Sequence, residues 1–299
     1  FNPATAGDKT ANLVLTPSDR TDVNSSAATV VLTGHAVQAT QIAGTFDSAG
    51  SSAITAYAFA DTVNTQNSAT YSITVKNTGN VTLNGVGSAG QSLTGDNASD
   101  FSITATTCST GTLAAGATCT ITVRFNPATA GDKTAHLNIT PTNRSNVDAT
   151  AGDVTLTGHA IQATQTATVQ NTAGSSNLTT YAFADTTAAQ QSAVYAFTLR
   201  NTGNVTLNGI GTSGQSLTGD NASEFTITAT TCTSGSLAPN ATCTISVRFN
   251  PATTSTDSAR SAHLVVTPTG RANVDATTGD VTLTGNVIGI RKILSLIHI

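Results

Sequence analysis

Methionine and tryptophan are absent from this 299-residue chain, and Glu224 is its only glutamate. With no methionine there is no initiating residue, so both ends read as cuts in a longer chain. With no tryptophan and four tyrosines, little is available to stack on sugar rings. Asp, Glu, Lys and Arg make up only 9% of the residues. Helices favour Glu, Lys, Leu and Met, so a chain filled instead with Thr, Ser, Ala, Asn and Gly argues for strands. The net charge is −4 and no Lys/Arg cluster occurs, which leaves no electrostatic footprint for nucleic acid or an anionic membrane. Long apolar runs are also missing. Val287–Ile299 (VIGIRKILSLIHI) is too short to cross a bilayer and is broken by Arg291 and Lys292.

What the chain does have is repetition. Asn77–Phe101 reads NTGNVTLNGVGSAGQSLTGDNASDF and Asn201–Phe225 reads NTGNVTLNGIGTSGQSLTGDNASEF, an offset of 124 residues (201 − 77). The same offset relates FNPAT at Phe1, Phe125 and Phe249, and Cys108 and Cys119 to Cys232 and Cys243. A period this long marks tandem copies of a whole domain, each able to enclose one core. Residues 1–36 read as the C-terminal part of a preceding repeat. One copy spans residues 37–160 and another 161–286, with residues 37–53 and 161–177 as linkers or a loosely held first strand. Residues 287–299 read as a non-native tail, a cloning or assembly artefact, with a truncated anchor or a next-domain strand as alternatives. Copy two is three residues longer where Thr254–Arg260 replaces the AGDK of Ala130–Lys133, which marks a surface hairpin loop.

The apolar period is 2. Tyr71, Ile73 and Val75 alternate with polar residues, and so do Ile121, Val123 and Phe125, then Ala135, Leu137 and Ile139, then Val154 and Leu156. Low-complexity disorder lacks such alternation. Short runs at Tyr57–Ala60, Val81–Val86 and Phe101–Thr106 bring the count to about seven strands, separated by Gly/Asn/Asp turns. The expected fold is all-β: tandem immunoglobulin-like antiparallel β-sandwiches of about seven strands each, with a barrel as the runner-up. Phe101, Phe125, Phe225 and Phe249 are assigned to cores.

The order Asn77-Thr78-Gly79, Asp100-Phe101, Gly116-Ala117-Thr118-Cys119, Val123, Phe125-Asn126-Pro127 and Leu156-Thr157-Gly158 resembles the bacterial choice-of-anchor D domain. That family is related to the ASH/Hydin-type immunoglobulin-like modules and to the major sperm protein fold. Copy two repeats the pattern at Asn201, Glu224-Phe225, Cys243, Phe249 and Leu283. The resemblance implies tandem β-sandwiches in large secreted or surface proteins whose anchors vary. The eukaryotic relatives act in cilia and centrosomes, a setting from which the paired cysteines depart.

Candidate sites are few. Cys108 and Cys119 leave one strand and enter the next, and Cys232 and Cys243 repeat that spacing with no cysteine left over. A disulfide within each copy is expected, in an oxidising compartment, and is worth roughly 3 kcal/mol on the chain-entropy account. The spacing matches no usual zinc pattern. Gly85–Gly90 and Gly209–Gly214 formally fit G-x-G-x-x-G, but no helix follows and no acidic residue sits about twenty positions on, so they read as glycine-rich loops. Asp96–Asp100 offers too few carboxylates for calcium and reads as a turn whose Asp and Asn side chains bond the local backbone. His35, His136, His159 and His263 read as surface polar residues. Asn80, Asn97, Asn204 and Asn240 head glycosylation triplets that also arise by chance in such a composition.

No nucleophile elbow or carboxylate pair suggests catalysis, and no cofactor is implied. The reading is a non-catalytic structural or adhesive segment of a large secreted or cell-surface bacterial protein. Its partners would be neighbouring repeats and an unknown protein or surface ligand, without nucleic acid and without membrane insertion by this segment. The alternatives are an accessory module of an extracellular enzyme and an intracellular ASH/Hydin-like scaffold.

Overall fold

The computed structural model describes residues 1–18, 27–142, 147–252, 257–270 and 274–289. The chain forms two compact units. Unit 1 is Phe1–Thr62, Gln66–Pro127 and Asp132–His159; unit 2 is Val63–Thr65, Ala128–Gly131 and Ala160–Ile299. Unit 1 begins with a hairpin of β1 (Gly7–Leu15) and β2 (Ala28–Ala36), paired antiparallel from Gly7 opposite Ala36 to Leu15 opposite Ala28.

The sandwich that follows is built from β3 (Ala39–Phe46), β4 (Ala56–Ala58), β5 (Thr62–Val63), β6 (Thr70–Asn77), β7 (Leu83–Asn84) and β8 (Gln91–Thr94). It continues through β9 (Phe101–Thr106), β10 (Thr112–Leu113), β11 (Thr118–Phe125), β12 (Gly131–Ile139), β13 (Val147–Thr150) and β14 (Gly152–Ile161). One sheet runs β13-β3-β6-β11-β9, the other β4-β14-β12-β8, and β7 and β10 form a small ribbon. The period-2 runs face inward as expected. Ile73, Val75, Ile121, Val123 and Phe125 on one sheet, and Ala135, Leu137, Ile139, Val154 and Leu156 on the other, are fully buried. Each large side chain so removed from water contributes about 1.5–3 kcal/mol.

Unit 2 repeats the plan with β15 (Ala163–Gln170), β16 (Thr180–Ala182), β17 (Thr186–Thr187), β18 (Tyr195–Asn201), β19 (Leu207–Asn208) and β20 (Gln215–Thr218). Then come β21 (Phe225–Thr230), β22 (Ser236–Leu237), β23 (Thr242–Phe249), β24 (Ser258–Val266), β25 (Val274–Thr277) and β26 (Gly279–Ile288). Its sheets run β21-β23-β18-β15-β25 and β16-β26-β24-β20, and one core cluster joins Leu199, Ile245, Val247 and Phe249 to Leu264, Val266, Val281 and Leu283. Both units are immunoglobulin-like sandwiches. They hold more, shorter strands than the alternation suggests, and parallel pairs stand beside the antiparallel ones: β3 with β13, β4 with β14, β15 with β25 and β16 with β26.

Two expectations are corrected. Of the two readings of residues 37–53 and 161–177, the linker gives way to the first strand, since β3 and β15 lie inside their sheets between two partners. Their inward faces are mostly small or polar: Gln41, Ala43 and Thr45 in one, and Ala163, Gln165 and Ala167 with Val169 in the other, all buried. Such a face is invisible to hydropathy alternation. The segment 287–299 is not wholly outside the fold either. Val287 is buried and pairs with Ser258, and Ile288 pairs with Thr187. Residues 290–299, and residues 253–256 of the hairpin insertion, lie outside the described residues.

Candidate functional site

The features repeated in both units are scaffolding devices, and the cysteines come first. β9 and β11 pair antiparallel, with Ile121 opposite Thr106, and Cys108 and Cys119 lie just beyond that pairing. A disulfide joins them with Cα atoms 5.1 Å apart, and Cys232 and Cys243 are joined likewise at 5.2 Å. All four are buried. The loop that each bond closes is more than a hairpin turn, because β10 inside it pairs with β7, and β22 with β19.

The glycine-rich loop is a place where backbone meets backbone. Gly85 takes φ +80°, and a Cβ on Gly90 would lie 1.5 Å from the Gly85 carbonyl oxygen; Gly209 and Gly214 repeat this at 1.7 Å. The loop is tied down by Gln91, whose amide donates to the Val86 carbonyl at 2.7 Å and to Thr106 Oγ1 at 3.1 Å. Beside it lies an open cleft of about 380 Å³ lined by Gly85, Gly87, Gly90, Gly111, Thr140 and Pro141. Among the described residues its walls carry no charged side chain, and the only helical turn at its edge is the three-residue Ser88–Gly90.

The turn at Asp96–Asp100 differs from expectation. Asn97 Oδ1 accepts a hydrogen bond from the Thr134 amide on β12, and Asp100, buried, pairs with Lys133 at 3.9 Å. These side chains reach across to the neighbouring strand instead of bonding only their own turn. In unit 2 the pair becomes Glu224 with Arg260, at 2.6 Å. The joint change of Asp100 to Glu224 and Lys133 to Arg260 was the signal in the sequence. The three-residue insertion obscured it by shifting Arg260 out of the 124-residue register.

Asn77 is a second device that sequence reasoning noted without seeing its role. It is completely buried; its amide donates to the Val81 and Leu113 carbonyls, and its Oδ1 accepts from the Gly79 amide. Asn201 makes the same three bonds with Val205, Leu237 and Gly203. The NTG motif is thus a corner in which a buried side chain satisfies backbone groups that no strand partner reaches.

The tyrosines form a third. Tyr57 on β4 stacks on Tyr71 on β6 with ring centroids 3.5 Å apart, and Tyr181 on Tyr195 at 3.8 Å, each pair joining the two sheets of its sandwich. Burial, then the neighbouring phenol, pushes the Tyr57 and Tyr181 hydroxyls above the ordinary value of 10.0.

The four described histidines lie on the surface, each beside an aspartate: His35 with Asp8, His136 with Asp153, His159 with Asp132 and His263 with Asp280. Among the described residues, no group of three or more His, Cys, Asp or Glu is placed to hold a metal ion. No described helix is long and apolar enough to cross a membrane.

With this geometry in place, comparison gives a class. Residues 60–158 match the family described as HYDIN/CFA65/VesB-like, Ig-like domain. The match supports an Ig-like module over this stretch, in agreement with the sandwich of unit 1. No curated protein matches the chain. Similar solved structures include a protein of unknown function from Porphyromonas gingivalis W83, at 11% identity and TM-score 0.29, covering 81% of this chain and 99% of that one. Another is the ASH/PapD-like domain 7 of human CEP192, at 13% identity and TM-score 0.26, covering 36% and 82%. A third is the secreted serine protease VesC from Vibrio cholerae, at 14% identity and TM-score 0.26, covering 67% of this chain and 46% of that one.

Proposed function

We propose that this chain is a repeat segment of the choice-of-anchor D type, serving as a non-catalytic structural or adhesive stretch of a large secreted or cell-surface bacterial protein. The observation that carries the reading is the disulfide found at the same place in both units. Disulfides persist in oxidising compartments, and no free cysteine remains among the described residues. The buried asparagine corner, the glycine contact and the buried ion pair are likewise spent on holding a sandwich stiff. Each sandwich then works as a rigid bead that supports neighbouring repeats or presents its loops to a surface ligand or protein.

The test is to isolate the native protein from its cells without reductant and alkylate it. Four cysteines that resist alkylation, in protein that protease releases from intact cells, are expected. Four alkylated thiols in an intracellular fraction would replace this reading with that of an intracellular ASH/Hydin-like scaffold. A catalytic domain on the same released polypeptide would make these units accessories of an extracellular enzyme.

A further inference from the structure

The hairpin β1–β2 and the strands β12 and β14 are one piece of structure in two settings. Gly7–Ala36 aligns with Gly131–Ala160 without a gap. Leu13, Leu15, Val30 and Leu32 therefore stand where Leu137, Ile139, Val154 and Leu156 stand. The latter four are 0% exposed, whereas the hairpin residues are 47%, 55%, 47% and 50% exposed.

The hairpin otherwise keeps the geometry of a complete unit. Phe1 lies over Gly34 so closely that a Cβ there would meet its ring at 2.5 Å, as Phe125 lies over Gly158 and Phe249 over Gly285, both at 2.7 Å. The difference lies in what covers the apolar face. In unit 2 the corresponding face shares a core with Leu199, Ile245 and Val247 of the opposite sheet. A contiguous apolar face left in water is a docking surface or an aggregation hazard.

Charge identifies the occupant further. Lys9 is the counterpart of Lys133, which pairs with the buried carboxylate of Asp100. In the hairpin the Lys9 ammonium donates to Thr5 Oγ1 and the Ala6 carbonyl, both at 3.1 Å. A partner that fits must bring a β-sheet with alternating branched aliphatics and, at the turn before one of its strands, a carboxylate for Lys9.

We propose that the β1–β2 face is a docking surface for the first three-quarters of a repeat of this same type, a polypeptide carrying counterparts of β3 to β11. Residues 37–124 of this chain have that character: Ile73, Val75, Ile121 and Val123 form the apolar face, and Asp100 supplies the carboxylate.

The test fuses a second copy of residues 37–124 ahead of Phe1 of the full chain and follows amide hydrogen exchange. The Leu13 and Leu32 amides should slow by about 100-fold, towards the rates of Leu137 and Leu156. A fused segment with lysine in place of its own Ile73 and Val123 counterparts should give no such slowing. Exchange at Leu13 and Leu32 that is unchanged by the fusion, or slowed equally by the lysine version, overturns the proposal. So does a dimer of the unfused chain that Leu13→Lys with Leu32→Lys dissociates, because a second copy would then be the occupant.

Discussion

Units 1 and 2 use one scaffold with different electrostatics. Cysteines, corner asparagine, close-packed glycines and core phenylalanines recur residue for residue. The His136–Asp153 contact recurs as His263–Asp280, but two other charged contacts around β12 and β24 do not. Asp100–Lys133 becomes Glu224–Arg260, and the surface pair Asp132–His159 becomes Ala259 and Asn286, with Asn286 now donating to Asp185 at 2.9 Å. The apolar and backbone-bonded groups tolerate little change because interiors are close-packed. Charged partners need only remain complementary, and in both places they change together.

If the cores are equivalent, the largest substitutions should cost the two units the same. Phe125→Ala and Phe249→Ala each remove a fully buried ring that also packs against a glycine, and each should destabilise its unit by about 3–5 kcal/mol. Urea unfolding of the two variants checks this, and a difference above about 1 kcal/mol would break the equivalence. Replacing Cys108 and Cys119, or Cys232 and Cys243, by alanine should come next, at about 3 kcal/mol for either unit, read from the same curves. If one pair costs nothing, the reading of both bonds as staples fails.

The ion pairs should separate the units. Arg260 meets Glu224 at 2.6 Å, whereas Lys133 and Asp100 are 3.9 Å apart. A double-mutant cycle with Glu224→Gln and Arg260→Gln should give a coupling of about 2 kcal/mol, against about 1 kcal/mol for Asp100→Asn with Lys133→Gln. Guanidinium geometry favours the shorter contact. Equal couplings would mean that the exchange of Lys for Arg has no energetic content.

Much of this was legible in the sequence, for reasons that can be located. β6, β11, β12 and β14 alternate large branched aliphatics with Thr, Ser and Asn, so their buried faces stand out. β3 puts Gln41, Ala43 and Thr45 into the interior and β15 puts Ala163, Gln165, Ala167 and a single valine, Val169, there, and no hydropathy pattern reports a buried Gln whose amide donates to a backbone carbonyl, as Gln41 does to Thr82. The cysteine pairing was legible because the two cysteines of each copy are near in sequence, none is left over, and the spacing repeats. The tyrosine stacks were not, because Tyr57 and Tyr71 sit on strands of opposite sheets and meet only when the sheets close, and the Asp100–Lys133 pair was hidden by the shifted register of its counterpart Arg260.

The smallest effect is the one that pH resolves. His159 is exposed, and its hydrogen bond to Asp132 at 2.6 Å, with a smaller Coulombic contribution from Asp132 and Asp61, raises its pKa above the ordinary 6.5. A raised pKa in the folded state means that folding favours the protonated imidazole. The stabilisation is therefore complete below 6.5 and is lost as pH rises through the raised value. Unit 2 has Ala259 and Asn286 at these places and cannot show this loss. Asp132→Asn should bring the His159 titration back towards 6.5 by NMR and flatten the pH dependence of unit 1 above pH 6.5. If that substitution leaves both the titration and the slope unchanged, the Asp132–His159 contact is incidental to the stability of unit 1.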